Sequence, residues 1–250
     1  MLYNINRCGF LFFSCSLLPN PARVISAGFF FLIQESKFEM KTAIVSLCTR
    51  NILPYAQYTI TLNRAYSKKQ DIPLFYYMDV LETTRHPVWS KLLALRNHVM
   101  DFDWLLWIDA DAAIVNHEKT IEPLVEGVDK MILIGKDING WNSGVFILKG
   151  GQESKDWLEF VFRQTKFIKS KYKEQDAMSW SFTLPQYKDR VLEINRKLIN
   201  AYWTQKHADY YTDGDFILHT PGTPDTDRIA IFKPFVDKLM EKGYTNAVYK

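Results

Sequence analysis

The sequence predicts a single α/β domain built on a mostly parallel, Rossmann-like sheet flanked by helices, and three observations lead there. Short apolar runs of strand length alternate with stretches of helical periodicity, which is the pattern of βαβ units. One such run, residues 104–108, opens directly into Asp109-Ala110-Asp111, and in open α/β sheets ligands gather beyond the carboxyl ends of the strands. The third observation is bulk: 250 residues with 47% hydrophobic and 24% charged side chains supply a large core, and the composition is that of neither a disordered chain nor a membrane bundle.

The elements follow in order. Residues 42–47 read as a buried first strand, 56–67 as a helix, and 74–78 as a second strand ending at Asp79. Val88, Leu92, Leu95 and Val99 then recur at helical spacing, widened by Trp89, Leu93 and Met100, so this helix packs on the sheet. Its Lys91 and Arg96 fall on the polar side and are read there as solvated. Residues 104–108 form a third strand. Residues 131–134 and 145–148 are two more, separated by the turn-prone Asp137-Ile138-Asn139-Gly140. Trp157, Phe160, Val161, Gln164 and Ile168 mark one long helix. A short strand at 216–218 precedes a closing helix over 227–240, interrupted at Pro234.

Residues 1–39 stand apart, with apolar runs broken by Pro19, Asn20, Pro21 and Arg23. Neither piece spans about 30 Å of hydrocarbon. Met40 is therefore read as opening the functional domain, residues 40–250, with 1–39 a poorly ordered leader. The alternative is a broken signal anchor, which would associate with a membrane through residues 9–33. The first reading implies a cytoplasmic protein and the second a Golgi-type anchored one.

Charge names no partner. Thirty-one Lys and Arg against 28 Asp and Glu leave +3, which argues against a nucleic-acid surface. Three cysteines, two of them in the leader, make neither a disulfide framework nor a Cys-type zinc site. Aromatics at 15%, with seven Trp, suit both core packing and stacking on sugar rings.

Asp109 and Asp111 carry the sharpest chemistry. Residues two apart in extended chain project to one side, so both carboxylates converge. Unaccompanied, they would repel and one would take up a proton. A hard divalent cation removes that conflict, and Mg²⁺ or Mn²⁺ keeps positions open for phosphate oxygens. The rival pair Asp101 and Asp103 precedes the strand and reads as a structural loop. Asn142 and Ser143 offer donors and acceptors suited to sugar hydroxyls. Glu174-Gln175-Asp176-Ala177 either favours a helix start or faces the sugar, and His219 is either a satisfied core histidine or a ligand.

Together these segments resemble glycosyltransferase family 34, the retaining galactosyl-, xylosyl- and mannosyltransferases of GT-A fold. The resemblance runs through Trp89-Ser90-Lys91-Leu92-Leu93-Ala94-Leu95-Arg96, Trp104 to Asp111, Asn142-x-Gly144-x-Phe146, Glu174 to Ala177, and His219-x-x-Gly222. It implies a transferase that moves a hexosyl or pentosyl unit from a nucleoside diphosphate sugar to a glycan or other hydroxyl acceptor. It further implies Mn²⁺ (or Mg²⁺) on Asp109, Asp111 and His219, with Asp109 on the metal through water or on the ribose. Gln175, Asp176 and Asn142 are then catalytic candidates around the sugar. Donor-contact candidates are Ser46, Thr49, Arg50, Asp79, Lys91, Asp109, Ser143 and Gly222. Two other classes stay open: a non-catalytic nucleotide-sugar-binding or accessory subunit, and an aspartate-nucleophile phosphohydrolase. The latter wants Thr or Val two residues after the second Asp, where this chain has Ala113.

Overall fold

The structure, a computed structural model, describes residues 40–204 and 210–244. The expected leader and its candidate membrane segment lie outside them. Among the described residues no helix is long and apolar enough to cross a membrane.

β1 (Thr42–Leu47) is buried on both faces, with Ala43 and Val45 in one apolar cluster and Ile44 in another, and its β-branched residues suit that setting. α1 (Leu53–Gln70) opens with a proline in its first turn, where the missing N–H costs nothing. It ends at Asp71, which adopts the left-handed conformation at φ 54°. β2 (Leu74–Tyr77), α2 (Ser90–Arg96), β3 (Trp104–Asp109), β4 (Ala112–Ile114) and α3 (Glu122–Val125) follow, then β5 (Ile132–Asp137) and β6 (Gly140–Lys149). The remainder is α4 (Gln152–Phe162), α5 (Glu174–Ser181), β7 (Val191–Glu193), β8 (Ala201–Tyr202), β9 (Ile217–His219) and α6 (Asp225–Glu241).

The main sheet has the order β2-β1-β3-β6-β5-β7. β1 runs parallel to β2 and β3, and β5 parallel to β7. β6 is antiparallel to both neighbours, because the turn between Asp137 and Gly140 closes β5 and β6 into a hairpin. The sheet is thus mixed, with a parallel Rossmann-like half ending at β3. A second sheet, β4-β9-β8, carries the chain beyond β3.

Alternation along β3 sets up the site. Leu105 and Trp107 join the cluster beneath α2 and α4, with Trp89, Leu92, Phe146 and Trp157. Leu106 and Ile108 join the opposite cluster with Ile44, Val145 and Phe216. By the same period of two, Asp109 emerges on the α2 side.

Three expectations are corrected. α2 has no polar side at Lys91, which is 2% exposed; the helix is packed against both β1 and α4. The predicted long helix ends at Phe162, where Gln164 leaves helical dihedrals and its amide donates to the Phe160 carbonyl. Pro234 does not interrupt α6. It and Ala230, whose carbonyl loses the helical partner, are both exposed, so water can satisfy the freed group.

Phe146 is fully buried at the middle of the sheet, paired across from Trp107. Phe146→Ala is expected to cost about 3–5 kcal/mol of unfolding free energy, read from urea denaturation. A loss under about 1 kcal/mol would contradict this packing.

Candidate active site

Asp109 is the last residue of β3, in the large sheet, and Asp111 immediately precedes β4, in the small one. The single residue between them is pinned from outside. Thr59 of α1 donates its hydroxyl to the Ala110 carbonyl at 2.7 Å. Asn63, one turn further along α1, accepts from Ile114 N at 2.8 Å. Thr220, next to β9, donates both its N–H (3.0 Å) and its hydroxyl (2.9 Å) to the Asp111 carbonyl. With the backbone fixed at both sides, the two carboxylates have little freedom.

Each carboxylate meets a fixed cation. Lys91 Nζ lies 3.1 Å from Asp109 Oδ1 and 3.2 Å from Glu174 Oε1. It also donates to the Ser143 carbonyl at 2.7 Å and the Ser143 hydroxyl at 3.2 Å. Burial disfavours the ammonium, yet Asp109 and Glu174 outweigh it and hold Lys91 above its ordinary pKa. Glu174 moves up, because burial exceeds the help it receives from Lys91. The Trp107 indole donates to Asp109 Oδ1 at 2.7 Å. Arg228 of α6 pairs with Asp111 Oδ2 at 3.0 Å and with Asp225 at 2.8 Å. Its guanidinium also lies over the Tyr55 ring. Nothing in the sequence pattern around Arg228 marks it, since it is one more charge on an exposed helical turn.

His219 closes the group. Its Nε2 lies 3.2 Å from Asp111 Oδ1, and Asp109, Asp111 and His219 each offer one ligand atom, all within 4.8 Å of one another. Gly144 makes this approach possible: a Cβ there would fall 2.3 Å from His219 Cε1. Gly222, at φ 67°, reverses the chain just beyond.

The donor set fits the implied divalent cation. The His219 Nδ1 faces the Asn200 side-chain oxygen at 2.7 Å, which directs the proton of a neutral ring to Nδ1. Nε2 then presents a bare lone pair to a carboxylate oxygen, two acceptors that a cation between them would reconcile. Two carboxylate oxygens and one imidazole nitrogen suit Mn²⁺ or Mg²⁺.

Asp109 and Asp111 sit where two lobes of a cleft meet. One lobe, of about 470 Å³, is lined by Ser143, Gln175, His219 and Gly222 among others. The other, of about 420 Å³, is lined by Leu47, Thr49, Asn51, Tyr55 and Lys91. The carboxylates are salt-bridged yet open to both lobes.

Several expected residues lie elsewhere. Ser46 is fully buried. Arg50 and Asp79 are exposed, and neither lines a lobe; Asp79 instead closes a turn onto Val80 N. The Asp176 carboxylate accepts from Tyr172 N at 2.9 Å and is also outside the lining. Asn142 reaches the cleft wall, but both ends of its amide are held by protein. Its oxygen accepts from Gly144 N and Asn200, and its nitrogen donates to Asp137 and Tyr202. Asp103 takes a structural part, accepting from Lys41 N at 2.8 Å.

Comparison with known proteins agrees with this architecture. Residues 44–126 and 119–227 match the galactosyl transferase GMA12/MNN10 family. The chain belongs to this family. An uncharacterized alpha-1,2-galactosyltransferase of Schizosaccharomyces pombe is 24% identical over 215 residues, 68% of this chain and 56% of that protein. A probable alpha-1,6-mannosyltransferase, MNN10 of Saccharomyces cerevisiae, is 23% identical over 206 residues, 63% of this chain and 52% of that protein. The chain thus spans little more than half the length of these relatives. A solved glycosyltransferase involved in glycosylation of the major capsid of PBCV-1 shares the fold. It superposes with a TM-score of 0.65 at 16% identity, over 78% of this chain and 99% of that one. The fold is of GT-A type, as the family resemblance implies.

The Asp111 carboxyl gives a test. Burial alone would raise its pKa, but His219 and Arg228 lower it to about 2. A folded pKa below the unfolded one stabilises the protein above the ordinary Asp range, and that stability is lost as pH falls through the folded value. Between about pH 5 and pH 2, the wild type should lose about 2 kcal/mol more unfolding free energy than Asp111→Asn. Parallel acid-denaturation curves for the two proteins would contradict the ion-pair assignment.

Proposed function

We propose that the chain is a metal-dependent retaining glycosyltransferase that moves a hexosyl or pentosyl unit from a nucleoside diphosphate sugar to a hydroxyl of a glycan acceptor. The observation that carries this reading is the convergence of Asp109, Asp111 and His219 at the junction of two cleft lobes, in a member of a galactosyl transferase family. Asp111 and His219 would hold Mn²⁺ (or Mg²⁺), with Asp109 beside them on the metal through water or on the ribose. The bound ion supplies a Lewis acid that neutralises the charge growing on the departing nucleoside diphosphate.

The rest of the work falls to the chain. Lys91 fixes the Asp109 carboxylate through Oδ1 and, by holding Ser143 and Glu174 as well, ties α2 to β6 and α5. The lobe beside Thr49, Asn51 and Tyr55 takes the nucleotide. The lobe beside Ser143, Gln175 and Gly222 takes the sugar. Gln175 is braced there, since its side-chain oxygen accepts from Ser143 N at 3.0 Å, and its amide nitrogen has no partner among the described residues. That nitrogen is the group assigned to a sugar hydroxyl. Because the Asp176 carboxylate is committed to Tyr172 N, the reading favours attack by the acceptor hydroxyl on the face the diphosphate leaves. That route needs no carboxylate nucleophile at residue 176.

The full chain is expected to release nucleoside diphosphate from a nucleotide sugar only with Mn²⁺ or Mg²⁺ present. Asp111→Asn should lower this turnover by a factor of about 100 or more, and Asp103→Asn should leave it unchanged. A thermal-shift panel of nucleotide sugars with and without Mn²⁺ identifies the donor, because a ligand that binds only the folded state raises its stability. Metal-independent turnover, or full activity in Asp111→Asn, would overturn the proposal.

A further inference from the structure

We propose that a one-way hydrogen-bond chain, Asp137 to Asn142 to Asn200 to His219, fixes which nitrogen of His219 is free to bind a metal, and that Asn200 is the positioning residue that delivers this choice. The inference rests on the metal reading above and adds to it three residues that do not touch the ion.

The direction of the chain follows from which groups can only donate or only accept. At its start, the Asn142 amide is held from two sides. Gly144 N–H, which can only donate, lies 3.0 Å from Asn142 Oδ1. The Asp137 carboxylate, an acceptor, lies 3.0 Å from Asn142 Nδ2. The Tyr202 hydroxyl donates to the same Asp137 oxygen at 2.6 Å, so its own oxygen is left to accept from Asn142 Nδ2, also at 2.6 Å. A flipped Asn142 would set its nitrogen against an N–H and its oxygen against a carboxylate, so only one orientation is satisfied.

That orientation is passed on. Asn142 Oδ1 needs a donor from Asn200, which supplies its Nδ2 at 2.8 Å. Asn200 Oδ1 is thereby turned to His219 Nδ1 at 2.7 Å. An amide oxygen carries no proton, so the imidazole must donate through Nδ1, and in the neutral ring Nε2 keeps its lone pair beside Asp111. Asn200 is 0% exposed and His219 3% exposed, so water does not substitute for either partner. Asn200 is itself anchored by its backbone: its N–H donates to the Arg196 carbonyl at 2.7 Å, and Arg196 donates back to the Asn200 carbonyl at 2.9 Å. Buried networks of this kind are satisfied in one arrangement or fail together. Groups that orient a ligating histidine from behind commonly govern metal affinity by factors of about 10–100.

Two measurements test this. In metal-free wild-type protein, imidazole ¹⁵N NMR, with the His219 signals assigned by their loss in His219→Gln, is recorded as pH is raised until the ring is neutral. The proton is expected on Nδ1; a proton on Nε2 overturns the proposal. Separately, Mn²⁺ affinity is read from the electron paramagnetic resonance of the free ion. Asn200→Leu should weaken binding about 10–100-fold. Asn200→Asp, which keeps an acceptor for Nδ1–H and, with its carboxyl proton on the oxygen facing Asn142 Oδ1, also keeps the donor there, should recover most of that loss. Equal weakening in the two variants, or none in Asn200→Leu, overturns the role of Asn200. If wild-type protein binds no Mn²⁺, the metal reading fails, while the NMR result still decides the proton's place.

Discussion

The structure depends on one step of the chain: the passage from the large sheet to the small one between residues 109 and 111. Because only Ala110 separates β3 from β4, the change of sheet and the pairing of the two carboxylates are the same event. The carbonyls of Ala110 and Asp111 are held by Thr59 and Thr220, and Ile114 N by Asn63. These bonds come from α1 on one side and the residue after β9 on the other. At about 1 kcal/mol each, they help to hold the like-charged turn in place. Removing the small sheet would leave Asp111 with neither its orientation nor its histidine.

The two basic residues beside the carboxylates offset the repulsion between them. Lys91 and Arg228 divide the negative charge between them, one on the α2 side and one from α6. Lys91 takes Asp109 Oδ1 and Arg228 takes Asp111 Oδ2, while both acids and His219 line the cleft. Lys91 shows the cost of the arrangement. A fully buried ammonium is tolerated because it has two carboxylates and two Ser143 oxygens around it, and losing any partner would expose the others to an uncompensated charge.

Much of this was legible in the sequence. Strand positions followed from apolar runs because β1, β3 and β6 are buried on both faces, and the placement of Asp109 at a strand end followed directly. His219, Gln175 and Gly222, which the resemblance singled out, all line the cleft. Periodicity misled at Lys91, since a helix packed between a sheet and another helix has no solvent face to host a polar stripe. Ser46, Arg50 and Asp79 were chosen by their nearness to strand ends, and that rule ignores which way a side chain points. Asn200, Thr59 and Arg228 carry no local pattern at all. Their parts arise from pairings between residues as much as 117 positions apart in sequence, which no window on the chain can reveal. The mixed character of the sheet, too, was visible only as a turn at 137–140, whose consequence is a strand reversed in the centre.

β9 lies in the middle of the small sheet, between β4 and β8, and it ends at His219. A ribosome therefore finishes every strand of the large sheet before it makes the one strand that β4 requires for a partner. Until then β4, with Asp111 at its head, is an unpaired edge with an apolar face. The group formed by Asp109, Asp111 and His219 is thus complete only once β9 has been made and has paired with β4.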